Sequence, residues 1–116
     1  MDIQCSHCSV TWHEEEFLEA KLLLGRLIGV NIQYMYGYGG NMKWSNIKDE
    51  PIVKLLERTQ SQEEFNPNDS AEISMRLDFL AQGIQVHDYS VRLHNMALGM
   101  RQAALNNEPF FYYQVH

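Results

Sequence analysis

The chain has 116 residues, 45% apolar and 21% charged, which is enough apolar material for one folded core and too much for a disordered segment. Fifteen acidic against nine basic residues give a net charge of −6. That balance argues against nonspecific nucleic-acid binding, which needs a basic stripe to displace counterions, and is compatible with docking on a basic partner.

Both cysteines lie in the first stretch, Cys5-Ser6-His7-Cys8. The residues before them lack the basic and apolar regions of a signal peptide, and the longest leucine run, 22–24, is broken by Gly25 and Arg26. A single cytoplasmic domain spanning residues 1–116, without a membrane segment, is the expectation. In a reducing compartment, paired thiols at this spacing point to a metal clip or a redox pair. Thr11 and Glu14 fit a capping box, predicting a first helix over about residues 12–29 with Glu14, Glu15 and Glu16 in its first turn. The cysteines would then sit just before a helix N-terminus, a setting that lowers a thiol pKa. Phe17, Ala20, Leu24, Leu27 and Ile28 form the buried stripe, and Gly25 permits close packing of another element.

Residues 30–36 alternate as a short strand would, with continuation of the helix as the alternative, and Gly37, Gly39 and Gly40 mark a tight turn. Asp49, Glu50 and Pro51 open a second helix with Ile52, Leu55, Leu56 and Thr59 inside. Residues 61–69 read as a polar connection ending in the turn Asn66-Pro67-Asn68-Asp69. Asp69 and Glu72 cap a third helix that runs to Gln82, with Ile73, Leu77, Leu80 and Ala81 on its core face. Asp88 caps a fourth, reaching Asn106, with the stripe Tyr89, Leu93, Met96, Ala97, Met100 and Ala104. Helices three and four should pack as an antiparallel hairpin. The tail, residues 109–116, is too aromatic to hang free; it docks, pairs as a strand beside the N-terminus, or makes an interface. The fold class is mainly α, a bundle of about four helices. Minor β structure comes from the N-terminal segment, the 30–44 region and the tail.

Cys5-x2-Cys8-x4-His13 resembles the first three ligand positions of a zinc knuckle, over this segment only; Leu18 stands at the fourth. Zinc is the cofactor that Cys5, Cys8 and His13 would hold, the fourth ligand coming from His87, His94, His116, a carboxylate or water. The tetrapeptide also resembles those of the thioredoxin superfamily, without that family's cis-proline or alternating strands and helices. His87 and His94 are two helical turns apart, too far for one ion. Residues 37–43 lack Walker spacing, but Tyr34, Tyr36, Tyr38 and Trp44 make this loop a candidate ligand or partner contact. Glu14 to Glu16 and Glu19 point around their helix rather than converging, and Glu72 and Asp78 do not share a face. The fourth helix carries only Arg92 and Arg101, which argues against reading DNA. Phe111 and Tyr113 in the tail are candidates for a protein or homo-oligomer interface.

The function expected is that of a small acidic binding or regulatory protein, non-enzymatic and acting by protein contacts, of the inhibitor, immunity or phage anti-defence type. One alternative is a zinc-containing or thiol-dependent enzyme centred on Cys5, Cys8 and His13. The other is a small-ligand or nucleotide binder using the Gly/Tyr loop.

Overall fold

A computed structural model describes residues 1–47 and 49–115. The described residues are mixed α/β: four α-helices and one four-stranded antiparallel sheet. In order, the elements are β1 (Asp2–Cys5), β2 (Thr11–His13), α1 (Glu14–Leu27), α2 (Val53–Leu56), β3 (Glu63–Phe65), α3 (Pro67–Ala81), α4 (His87–Leu105) and β4 (Phe110–Val115). The expectation of a mainly helical bundle is thereby corrected, because the two termini and an internal segment build a complete sheet layer. None of the described helices is long and apolar enough to cross a membrane.

Strand order is β2-β1-β4-β3. The aromatic tail supplies a central strand, pairing Asp2 with Val115 and Cys5 with Tyr112 on one side and Phe65 with Phe110 on the other. Period-two alternation puts Ile3, Cys5, Trp12, Phe65, Phe110 and Tyr112 on the buried face. That face meets α1 through aromatic contacts, with the Phe17 ring centroid 5.6 Å from that of Trp12 and 5.1 Å from that of Tyr112. Phe111 and Tyr113 fall on the opposite face, their rings 5.8 Å apart.

Four boundaries differ from expectation. The fourth helix begins at His87 with Val86 as its N-cap, so Asp88 lies inside the first turn and does not cap it. Thr11 and Trp12 are strand, not helix, and His13 takes the N-cap; its backbone N–H donates to the Glu16 carboxylate at 3.0 Å. The third helix is capped by Asn66, whose side chain accepts from the Asp69 N–H at 2.8 Å, with Pro67 at N1. The second helix shrinks to a single turn, and residues 63–65, read as connection, form β3. Residues 30–36 are not a strand. Ile32–Tyr34 is a 3₁₀ turn opened by the Asn31 side chain, followed by two isolated bridges, Met35 to Met42 and Tyr36 to Gly40. Gly25 does permit close packing: a Cβ there would lie 2.7 Å from Ile32 Cγ2 and 2.9 Å from the Val30 carbonyl oxygen.

The helices close over the sheet in two steps. The hairpin of α3 and α4 packs along its length through Ile73, Leu77, Leu80, Leu93, Met96 and Met100, all buried. Arg92 then ties α4 to the sheet and α1. Its guanidinium donates to both Glu16 carboxylate oxygens at 3.1 and 3.0 Å and to the Thr11 carbonyl at 3.0 Å, and stands 4.3 Å over the Trp12 ring. These bonds hold the Glu16 carboxyl at about 2, well below the ordinary carboxylate range.

Candidate functional site

The cysteine turn lies at the opposite end of the first hairpin from the start of α1. Asp2 pairs with His13 and Gln4 with Thr11, so β2 carries the chain away from Cys5 before the helix begins. His13 is therefore about 10 Å along the strand from Cys5, and its Nδ1 pairs with the Asp2 carboxylate at 2.7 Å. The structure brings Cys5 and Cys8 together and leaves His13 apart. It also corrects the expected helix N-terminus beside the thiols.

Cys8 is held below the ordinary thiol range by a hydrogen bond from the Cys5 thiol, and the same bond with burial pushes Cys5 up. His7, between them, contacts Ser6 Oγ at 2.7 Å and Glu108 at 3.4 Å. No three metal-ligating side chains converge among the described residues, and His116 lies outside them. His94 pairs with Asp78 across the α3–α4 hairpin.

The Gly/Tyr loop divides into pins and free ends. Tyr38 donates to the Leu56 carbonyl at 2.7 Å and Trp44 Nε1 to the Tyr36 carbonyl at 3.0 Å, so these two rings fasten the loop. Tyr34 and Tyr36 project into solvent. Phe111 and Tyr113 lie on the outward face of a central strand, Phe111 exposed and Tyr113 half-buried.

An unpartnered apolar surface that sequence reading missed is the outer face of the α3–α4 hairpin. Met75 is 77% exposed, Phe79 65% and Leu105 72%, with Leu98 and Val91 also exposed. On α4, Val91, Leu98 and Leu105 recur every seven residues, outside the core stripe of the same helix. Seven residues are nearly two full turns, so these three share a line along the helix. On α3, Met75 and Phe79 are one turn apart.

Between these ridges the floor is small: Ala71 and Ser74 from α3, Ala97 and Ala104 from α4. Two hollows of about 240 and 360 Å³ open there, sharing Met75 and Arg101; a third of about 340 Å³ joins Met75 to Phe79. The charges around the face are mostly satisfied within the chain. Arg76 forks onto Glu50 at 2.8 and 2.9 Å, Lys54 bridges Asp69 and Glu72 at 3.0 and 2.8 Å, and His94 meets Asp78. Arg101 has no ion-pair or side-chain hydrogen-bond partner among the described residues. A face of this kind can take an apolar ridge into its hollows and one carboxylate onto Arg101. No protein-family model, curated protein or solved structure matches this chain.

Proposed function

We propose that the chain is a small non-enzymatic binding or regulatory protein acting through protein contacts, and that it docks by the outer face of the α3–α4 hairpin. The observation that carries this reading is the set of exposed apolar side chains on two firmly packed helices: Met75 faces Leu98 and Leu105 across a floor of small residues, and Phe79 and Val91 are exposed one turn and one heptad further along. Isolated exposed apolar side chains are ordinary, whereas a continuous set rimmed by polar residues marks an interaction surface. Ridges flanking a trough of small side chains suit knobs-into-holes packing by another helix.

The partner is accordingly an amphipathic helix of another protein, apolar at i, i+3 or i+4, and i+7, with a carboxylate that reaches Arg101. Rim charges already paired within the chain need not be desolvated unpaired when the helix lands, which favours a dry contact.

The test is co-purification from the source cell with Met75→Glu and Leu98→Glu together. Both side chains are exposed, so the double variant should fold as the parent does. A protein that co-purifies in constant ratio with the parent should be lost from the variant and retained by Tyr34→Ala with Tyr36→Ala, and by Phe111→Ala. Loss through those aromatic changes, with retention by the double glutamate variant, overturns the assignment to the hairpin.

A further inference from the structure

Lys21 is the one charged residue among the described residues that is buried, at 5% exposure. It sits one turn after Phe17 on the core side of α1, with its Nζ 4.7 Å from the Phe17 ring centroid and 5.2 Å from that of Tyr38. It has no hydrogen-bond or ion-pair partner among the described residues. The nearby Glu63 does not fill that role. Its carboxylate is engaged by Arg58 at 3.4 Å and by the Gln60 backbone N–H at 3.1 Å. Burial lowers the Lys21 ammonium to about 8, partly opposed by Glu63.

A lysine placed only for structure would be replaced at a gain by methionine or leucine, because a buried charge without an acceptor is costly. Lys21 instead lines a cavity of about 390 Å³, large enough for a small molecule. Leu18, Leu22 and Ile32 form apolar walls, while Gln33, Thr59 and Ser61 supply neutral hydrogen-bonding groups.

We propose that this cavity binds a small organic monoanion, a carboxylate with an apolar body the size of benzoate. The carboxylate takes the vacant donors of the Lys21 ammonium, and the apolar body lies against Leu18, Leu22 and Ile32. The charge count selects the class. Among the described residues Lys21 is the one cation lining the cavity, Glu14 stands in its wall and Glu63 is close by, within a chain of net charge −6. A phosphate dianion would meet two carboxylates with a single ammonium to balance them. This site is independent of the hairpin face.

The experiment titrates the full chain with benzoate, its neutral isostere benzamide, inorganic phosphate and adenosine monophosphate, followed by backbone amide NMR shifts. Benzoate should saturate with shifts at residues 18–22, 33 and 59–61. Benzamide, which lacks the charge-assisted hydrogen bond, should bind roughly 10- to 100-fold more weakly. Lys21→Met and Lys21→Gln should each lose benzoate binding to that extent, and Met75→Glu should not change it. In the parent chain, benzoate should also protect Lys21 from acetylation by an activated ester, read by peptide mass spectrometry, a readout that needs no variant. The proposal is overturned by any of four results: no saturation, equal binding of benzamide, tighter binding of phosphate or the nucleotide, or undiminished binding by a folded Lys21 variant.

Discussion

Replacing Lys21 by methionine should stabilise the chain, although it deletes the only buried charge among the described residues. Each tenfold change in proton affinity is worth about 1.4 kcal/mol. Holding this ammonium near 8 instead of 10.5 thus costs the folded state ~3 kcal/mol at pH 7. Attraction to the faces of Phe17 and Tyr38 returns about 1–2 kcal/mol of that. Methionine keeps most of the stem packing, so Lys21→Met should gain about 1–2 kcal/mol, or roughly 5 °C in Tm for a domain of this size.

The sign with pH is specific. Between pH 8 and 10.5 the unfolded chain binds the Lys21 proton and the folded chain does not, so the parent should gain stability as pH rises through that window. The variant lacks this slope, and its advantage should shrink toward zero near the upper end. Tyr38 and Tyr112, whose phenols are also held neutral by burial, act equally in both chains and cancel in the difference. Urea unfolding followed by fluorescence of Trp12 and Trp44 at several pH values between 7 and 10.5 measures it. A variant less stable than the parent at pH 7, or a difference that does not change with pH, would refute the account of Lys21 as an uncompensated buried cation.

Three further outcomes follow from named contacts. Glu16→Gln should leave the helix cap largely intact but remove stability that the parent holds above pH 4.5 and loses as pH falls toward 2. For a carboxylate one-third exposed this amounts to about 1 kcal/mol, seen as a flatter acid unfolding profile. Gly99→Ala should destabilise by about 1–3 kcal/mol, because the new Cβ would lie 2.8 Å from the His7 carbonyl oxygen and 3.0 Å from Cys8 Cβ; a Tm equal to the parent's contradicts that packing. Iodoacetamide should modify Cys8 well before Cys5, since Cys8 is the more exposed sulfur and the one favoured as thiolate; equal rates by peptide mapping would contradict the hydrogen-bonded pair.

The stripes of the long helices were largely legible because a 3.6-residue period repeats often enough to be read: Phe17, Ala20 and Leu24, or Leu93, Met96 and Met100, are buried as their spacing predicts, whereas Leu27, in the last turn of the first stripe, is exposed. Three-residue strands carry no such signal. Thr11-Trp12-His13-Glu14 satisfies a capping pattern, while Thr11–His13 also forms an exposed–buried–exposed strand, and only pairing with β1 decides between them. Residues 63–65 likewise become a strand through β4, a partner almost fifty residues away in sequence. In residues 30–36 the alternation misled, because Ile32 and Met35 are buried at a spacing of three and the Asn31 side chain caps a 3₁₀ turn.

The ligand spacing of Cys5, Cys8 and His13 counted residues along the chain, whereas an antiparallel hairpin separates the third from the first two. Two features of the candidate sites did have a sequence signal. The seven-residue recurrence of Val91, Leu98 and Leu105 lies beside the core stripe, and Lys21 occupies a stripe position, four after Phe17 and three before Leu24. Neither stood out, because periodicity selects the strongest face of a helix and passes over a second one, and a charged residue in a stripe reads as a break in it.

Photocrosslinking in the source cell tests the docking face most directly. Benzoylphenylalanine is placed at 75, 79, 98 or 105 on the hairpin face, and at 34, 36, 111 or 113 on the other exposed or half-buried aromatic positions. Docking of a partner helix on the hairpin predicts one discrete adduct with a second protein from the first group, none from the second group, and loss of the adduct when Arg101→Glu is added. Adducts from the aromatic positions alone, or an adduct consisting of two copies of this chain, would contradict it.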